Sequence, residues 1–309
     1  MKAVVCTVDG CELTDVADPT PADDEVIVEV DACGLCGSDV HAIERGYPSE
    51  GQILGYEFAG RIAATGSAVT GWRVGEPVAV NPLGSCGACR ACVRGVPFGC
   101  AAVPNIGLSA PGAYARYVAV PHRQLVALPP ELPVEMGAHA EPLAVALNAV
   151  AMAKVGPGDA ALVYGVGPIG LNTIMALRLS GVERIVAAGR SPGRRAAAAA
   201  VGADEVIDTR EITVSGLVRV AGGTCVELSL SSEVVDVSMT RMVAEGLRLT
   251  GSCAFTAAGF AAAVDHIASG RAPVAELISE RVSLAATPDA LTRLRTPGQL
   301  VRVLTKPSI

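Results

Sequence analysis

Apolar and polar positions alternate in short runs through the first half of the chain. Residues 26–30, 60–64, 78–81 and 117–120 are β-branched segments bounded by Gly, Pro and Asp, the pattern of strands between turns. From about residue 150 the pattern changes. Residues 160–163, a glycine cluster, then 169–180, 185–188, 196–202 and 206–208 read as strand, turn and Ala/Leu-rich helix in alternation. That order predicts a βαβαβ unit and hence a parallel sheet. Residues 281–309 return to short strands and turns and are expected to rejoin the first half. No internal repeat or low-complexity linker is present. The expected class is α/β, with a mostly β domain over 1–150, a parallel-sheet domain over 151–275 and a returning segment over 276–309.

Composition narrows the function. At 309 residues with 50 % hydrophobic content, the chain is long enough for two cores. A net charge of −7 and the lack of any Lys/Arg-rich run argue against nucleic acid or an acidic membrane surface and for a small-molecule partner. The start reads directly into a strand without the apolar run of a signal peptide. The most apolar stretches, 139–153 and 160–179, are too short to span a bilayer or carry Gly, Pro, Asn and Arg. A cytoplasmic location without membrane contact is therefore expected. Ten cysteines in such a chain point to reduced thiols and metal ligands rather than disulfides.

Four cysteines carry the clearest chemistry. Cys86-x2-Cys89-x2-Cys92-x7-Cys100, in a Gly- and Arg-rich lobe over 81–105, is spaced for four thiolates to converge on one zinc ion. A closed site of this kind is structural; an iron–sulfur cluster is the rival reading. The lobe resembles the one carried by the zinc-containing alcohol and polyol dehydrogenases of the medium-chain dehydrogenase/reductase superfamily. That resemblance implies a GroES-like catalytic domain followed by a Rossmann-type doubly wound sheet, and a homodimer or homotetramer.

Gly165-Val-Gly167-Pro-Ile-Gly170 follows a β-rich run and opens a helix, the context in which G-x-G-x-x-G holds a dinucleotide pyrophosphate. At the end of the second strand, where NAD-specific proteins place an acid for the ribose, stands Gly189. Arg190, Ser191 and Arg194 follow it and could bind a 2′-phosphate, which favours NADP over NAD. Arginines merely exposed at a helix start are the alternative.

The resemblance also implies a catalytic constellation. Cys36-Gly-Ser38-Asp-Val-His41 matches the segment that supplies a first catalytic zinc ligand, a hydroxyl relay and a histidine leading protons to solvent. Glu141-Pro142 matches the polyol branch, where a glutamate lies at or near the zinc. The chain departs at the second ligand: relatives read Gly-His-Glu, and this sequence reads Gly55-Tyr56-Glu57. A neutral phenol, with an intrinsic pKa of about 10, is a poor zinc ligand near neutrality. Cys36, Glu57 and Glu141 remain as a weakened ligand set, and Tyr56 becomes a candidate proton donor.

A second departure lies in the parallel-sheet half. After Asp208 relatives continue with a helix, a strand and another helix, and here only residues 209–222 precede the next strand at 223–230. One βα unit is missing, with residues 216–221 a candidate to fill its place. The late run 247–255 resembles a sixth strand. Three functions fit these residues: an NADP-dependent oxidoreductase acting on a hydroxyl, carbonyl or imine of a small polar substrate, a redox-neutral acid–base enzyme using Tyr56, Glu57 and Glu141, and a non-catalytic partner subunit.

Overall fold

The computed structural model describes residues 1–211, 222–229, 234, 236–296, 298 and 300–308. The chain divides into two compact units, one of Met1–Ala144 with Phe255–Ile309, the other of Val145–Ala254. Residues 255–275, given to the parallel-sheet domain in the sequence reading, thus belong to the first unit.

The first unit is built on a sheet of seven strands. Its strands are β3 (Glu25–Gly34), β4 (Glu57–Thr65), β5 (Pro77–Val80), β6 (Tyr117–Pro121), β7 (Leu125–Ala127), β13 (Ile278–Ser283) and β14 (Arg302–Lys306). The order is β13-β14-β3-β4-β5-β7, with β6 also paired to β3. β3 sits in the middle because its sequence, Glu-Val-Ile-Val-Glu-Val-Asp-Ala-Cys-Gly, is apolar on most positions and buries nearly all of them. The returning segment reaches it through β14, where Leu304 lies opposite Gly34 and Thr305 opposite Cys33. A hairpin of β1 (Lys2–Thr7) and β2 (Gly10–Asp15) packs beside the sheet, β1 donating from Val4 N–H to Tyr114 O at 2.7 Å. Val4, Val28, Phe58, Ile62, Tyr114, Val118, Leu291 and Val303 share one buried core. Helices of this unit include α1 (Gly37–Glu44), α2 (Arg90–Val93) and, beginning in it, α3 (Ala140–Ala153).

The second unit carries β8 (Ala160–Tyr164), α4 (Pro168–Leu179), β9 (Arg184–Gly189), α5 (Pro192–Ala200) and β10 (Glu205–Asp208). The three strands form a parallel sheet in the order β10-β9-β8, the βαβαβ arrangement that the residue pattern predicts. A parallel pair, β11 (Thr224–Glu227) and β12 (Arg248–Gly251), with α6 (Met239–Ala244), completes what is described of this unit. Among the described residues β8 pairs with β9 alone. Residues 216–221, the candidate filler beside it, lie outside the described residues. In the first unit α7 (Ala257–Ala268) and α8 (Thr287–Leu294) follow. Among the described residues no helix is long and apolar enough to cross a membrane.

Candidate active site

The four-cysteine lobe is organised by the short helix α2, which Cys89 precedes as N-cap, and by a 3₁₀ turn over Pro97–Gly99 that ends at Cys100. Cys86, Cys89, Cys92 and Cys100 place all four sulfurs within 4.8 Å of one another. A tetrahedron of Zn–S bonds of ~2.3 Å has edges of about 3.8 Å. The Cys86–Cys92 and Cys89–Cys92 separations, 3.9 and 3.5 Å, bracket that edge. Donors surround the sulfurs: Cys89 N–H reaches Cys86 Sγ at 3.3 Å, and the Ser85 hydroxyl reaches Cys92 Sγ at 3.2 Å. The Ser85 hydroxyl brings the Cys92 thiol down to about 6, and backbone N–H groups lower Cys86. The lobe can hold one zinc ion as a closed tetrathiolate site.

The Cys36 segment lies at the C-terminal end of β3. Cys36 caps α1, its sulfur accepting from Ser38 N–H at 3.5 Å and its own N–H donating to Asp39 Oδ2 at 3.4 Å. Asp39 is buried and accepts from the Tyr114 hydroxyl at 2.5 Å; removal from water raises it to about 7. Ser38 is half-buried and His41 is exposed. Tyr56, from the strand-approaching loop, puts its hydroxyl in hydrogen-bonding reach of Cys36.

Glu57 begins β4, opposite Gly34 on β3. Its carboxylate is met by the Arg302 guanidinium from β14, and Arg302 also donates to Ala138 O at 2.9 Å. Both partners are buried, at 3 and 2 % side-chain exposure. The guanidinium occupies the space over Gly34, where a Cβ would lie 2.0 Å from Arg302 Nη2. Glu141, in the first turn of α3, is buried.

Burial dominates the electrostatics of this group. It pushes the Cys36 thiol, the Tyr56 phenol and the Glu141 carboxyl well above their ordinary ranges, and the Glu57 charge raises all three further. The cluster is therefore a set of proton donors around one ion pair. Cys36, Glu57 and Glu141 do not form a ligand group: among the described residues only the Cys86 cluster brings three or more such atoms within 4.8 Å of one another. Glu57 is turned to Arg302, and the donor set as it stands does not fit a catalytic zinc.

In the second unit Gly165 follows β8 at φ +103°, and a Cβ on Gly170 would lie 1.8 Å from Gly165 O. Only glycine lets the strand turn into α4 so closely. Gly167 caps α4 without a side-chain cap bond and Pro168 occupies its first turn, a helix start of the kind that can meet an anion such as a pyrophosphate. Arg194 brings a guanidinium nitrogen 4.0 Å from where a Gly167 Cβ would stand. Ser191 caps α5, accepting from Arg194 N–H at 3.5 Å, and Arg190 is exposed beside it. Arg195 is committed to structure, donating to Gly189 O and Arg190 O and pairing with Asp208 at 2.8 Å.

Residues 22–130 match the alcohol dehydrogenase GroES-like domain. The fold of the whole chain superposes with a TM-score of 0.92 on a protein classed as a zinc-binding dehydrogenase from Sinorhizobium meliloti 1021, solved bound to NADP. Identity to it is 30 % over 99 % of both chains. The chain belongs to the zinc-containing alcohol dehydrogenase family. Among curated relatives, the starvation-sensing protein RspB of Escherichia coli K12 is 36 % identical over 62 % of this chain and 58 % of its own length. The sorbitol dehydrogenase of Bacillus subtilis 168 is 37 % identical over 61 % of this chain and 55 % of its own. The chain thus spans somewhat over half the length of these two relatives.

Three residues of this family member's site escape a reading of the sequence. Asp39 lies inside the Cys36–His41 segment and could have been suspected there. Tyr114 and Arg302 carry no local signal; each reaches the site only through strand pairing.

Proposed function

We propose that this protein is an NADP-dependent oxidoreductase that reduces, or forms by oxidation, a carbonyl or imine carbon of a small polar substrate. The observation that carries the cofactor reading is the end of β9, where Gly189 replaces an acid and Ser191 and Arg194 stand beside the Gly165–Gly170 turn. A bound nicotinamide supplies or accepts the hydride. The Gly165, Gly167 and Gly170 backbone would seat its pyrophosphate, and Arg190, Ser191 and Arg194 its 2′-phosphate.

The protein's own part is proton management. In reduction, the carbonyl oxygen or imine nitrogen needs a proton as hydride arrives, and Tyr56 and Glu141 are held in their protonated forms by burial. Cys36 lies beside Tyr56, and Ser38 and the exposed His41 give the proton a route to water. Such a site suits activated acceptors more than plain alcohols. By family likeness it works in the cytoplasm as a homodimer or homotetramer.

NADPH fluorescence titration beside NADH, on protein carrying one zinc per chain, tests the reading. NADPH binding about tenfold or more tighter than NADH is expected; equal binding of the two overturns it. Tyr56→Phe should cut reductive turnover by about 10²-fold without moving NADPH affinity. One observation favours a second reading: the Cys36, Tyr56 and Glu141 donors stand together while, among the described residues, metal-ligating atoms converge only at the Cys86 cluster. Turnover without any nicotinamide would select that reading.

A further inference from the structure

The β1–β2 hairpin brings together two thiols that the site above does not use. Cys6 and Cys11 are direct cross-strand partners, one register step from the turn between Thr7 and Gly10. Cys6 N–H donates to Gln52 O at 2.8 Å, and Cys6 O accepts from Gly51 N–H at 2.8 Å. Both its backbone groups therefore point away from β2, which makes Cys6 and Cys11 a non-hydrogen-bonded pair. In such pairs facing Cα atoms approach to about 4.5 Å and their side chains come closest. A disulfide spans Cα separations of about 4.4–6.8 Å. The two sulfurs are already 3.7 Å apart, and both cysteines are free.

The environments of the two thiols differ. Cys6 is at the core, 3 % exposed, whereas Cys11 is half-buried and reachable from solvent. The hydrogen bond between them lowers Cys11 and raises Cys6, and Arg295 also favours the Cys11 thiolate.

We propose that Cys6 and Cys11 form a reversible dithiol–disulfide site that takes a small hydroperoxide as its oxidant. The Cys11 thiolate attacks one peroxide oxygen, the O–O bond breaks, and alkoxide or hydroxide leaves with the electron pair and takes up a proton. Cys11 is then a sulfenic acid. Cys6 sulfur attacks Cys11 sulfur, the S–O bond breaks, and the hydroxyl departs as water with the Cys6 proton. Two electrons have passed from the two sulfurs to the peroxide, and a thiol reductant reverses the change by disulfide exchange. The pair is independent of the dehydrogenase reading and of the zinc lobe.

Peptide mapping of the zinc-loaded protein tests this directly. Cleavage restricted to glutamate releases residues 1–12, whose only cysteines are Cys6 and Cys11. After graded hydrogen peroxide and alkylation, this peptide is expected to become unalkylated and lighter by two hydrogens, and to regain both alkyl groups after dithiothreitol. Cys6→Ser should leave Cys11 as a sulfenic acid that dimedone traps. The proposal is overturned if residues 1–12 stay doubly alkylated at peroxide levels that already expel zinc from Cys86–Cys100. It is equally overturned if Cys6 or Cys11 cross-links to another peptide instead.

Discussion

Arg302 on β14 and Glu57 at the head of β4 form an ion pair at the centre of the candidate site, 245 residues apart in sequence and nearly closed to water. The pair is held by geometry as well as charge. Ala138 O takes a second guanidinium N–H, and the absence of a side chain on Gly34 makes the space.

Removing the cation leaves a buried carboxylate without a counter-charge. Arg302→Met is expected to destabilise the first unit by about 3–5 kcal/mol, read by urea unfolding. Adding Glu57→Gln should recover a large part of that loss, because the uncompensated charge rather than the missing contact dominates. A double variant as unstable as the single one would contradict this account.

The glycine turn makes a separate prediction. Gly170→Ala places a methyl against Gly165 O, so the strand can no longer turn into α4 as it does. NADPH affinity should fall about tenfold or more while zinc content stays unchanged. Elemental analysis and fluorescence titration of one sample check both halves.

Glu135 ties the 3₁₀ turn Val134–His139 to the returning segment, pairing with Arg281 at 2.7 Å and Lys306 at 2.9 Å. The Arg281 hydrogen bond, with help from Lys306, draws its carboxyl from 4.5 down to about 2. The folded value is the lower one, so the contribution is complete above the unfolded value and is lost as pH falls from 4.5 towards 2. Solvent at this partly exposed site limits it to about 1 kcal/mol. Comparing Glu135→Gln with the parent by urea midpoints should show that gap near neutrality and a steadily smaller one as pH falls below 4.5.

In the cysteine lobe, Cys92→Ser removes one of four ligands and should lower zinc from one per chain to almost none. Proteolysis at the exposed Arg90 and Arg94 should then quicken, since the lobe loses the cross-link that four ligands to one ion supply. Acidification should release zinc from the parent too, as protons compete for the thiolates.

Much of this was legible in the chain. Three cysteines at three-residue intervals and a glycine turn between a strand and a helix are local patterns, and local patterns survive in sequence. The β-to-βαβ change of grain was legible for the same reason. Arg302 was not, because it stands among Val301, Val303 and Leu304 in an ordinary strand, and nothing nearby announces a carboxylate partner. Tyr114 was hidden similarly: its link to Asp39 exists only where 112–115 folds against 53–55. The Cys6–Cys11 pairing depends on a turn at Val8 and Asp9 that the opening residues, read as a single strand, did not suggest.

The first unit is discontinuous, and this bears on how the protein is made. Glu57 leaves the ribosome 245 residues before Arg302. At about 5–20 residues per second that is a wait of roughly 10–50 s. Through that interval the nascent chain has neither β14 to flank β3 nor a cation for Glu57. Until Arg302 arrives, the head of β4 stays open to water instead of packing into the site. Synonymous changes that slow translation between the two residues would therefore lengthen the vulnerable stage without altering the protein itself.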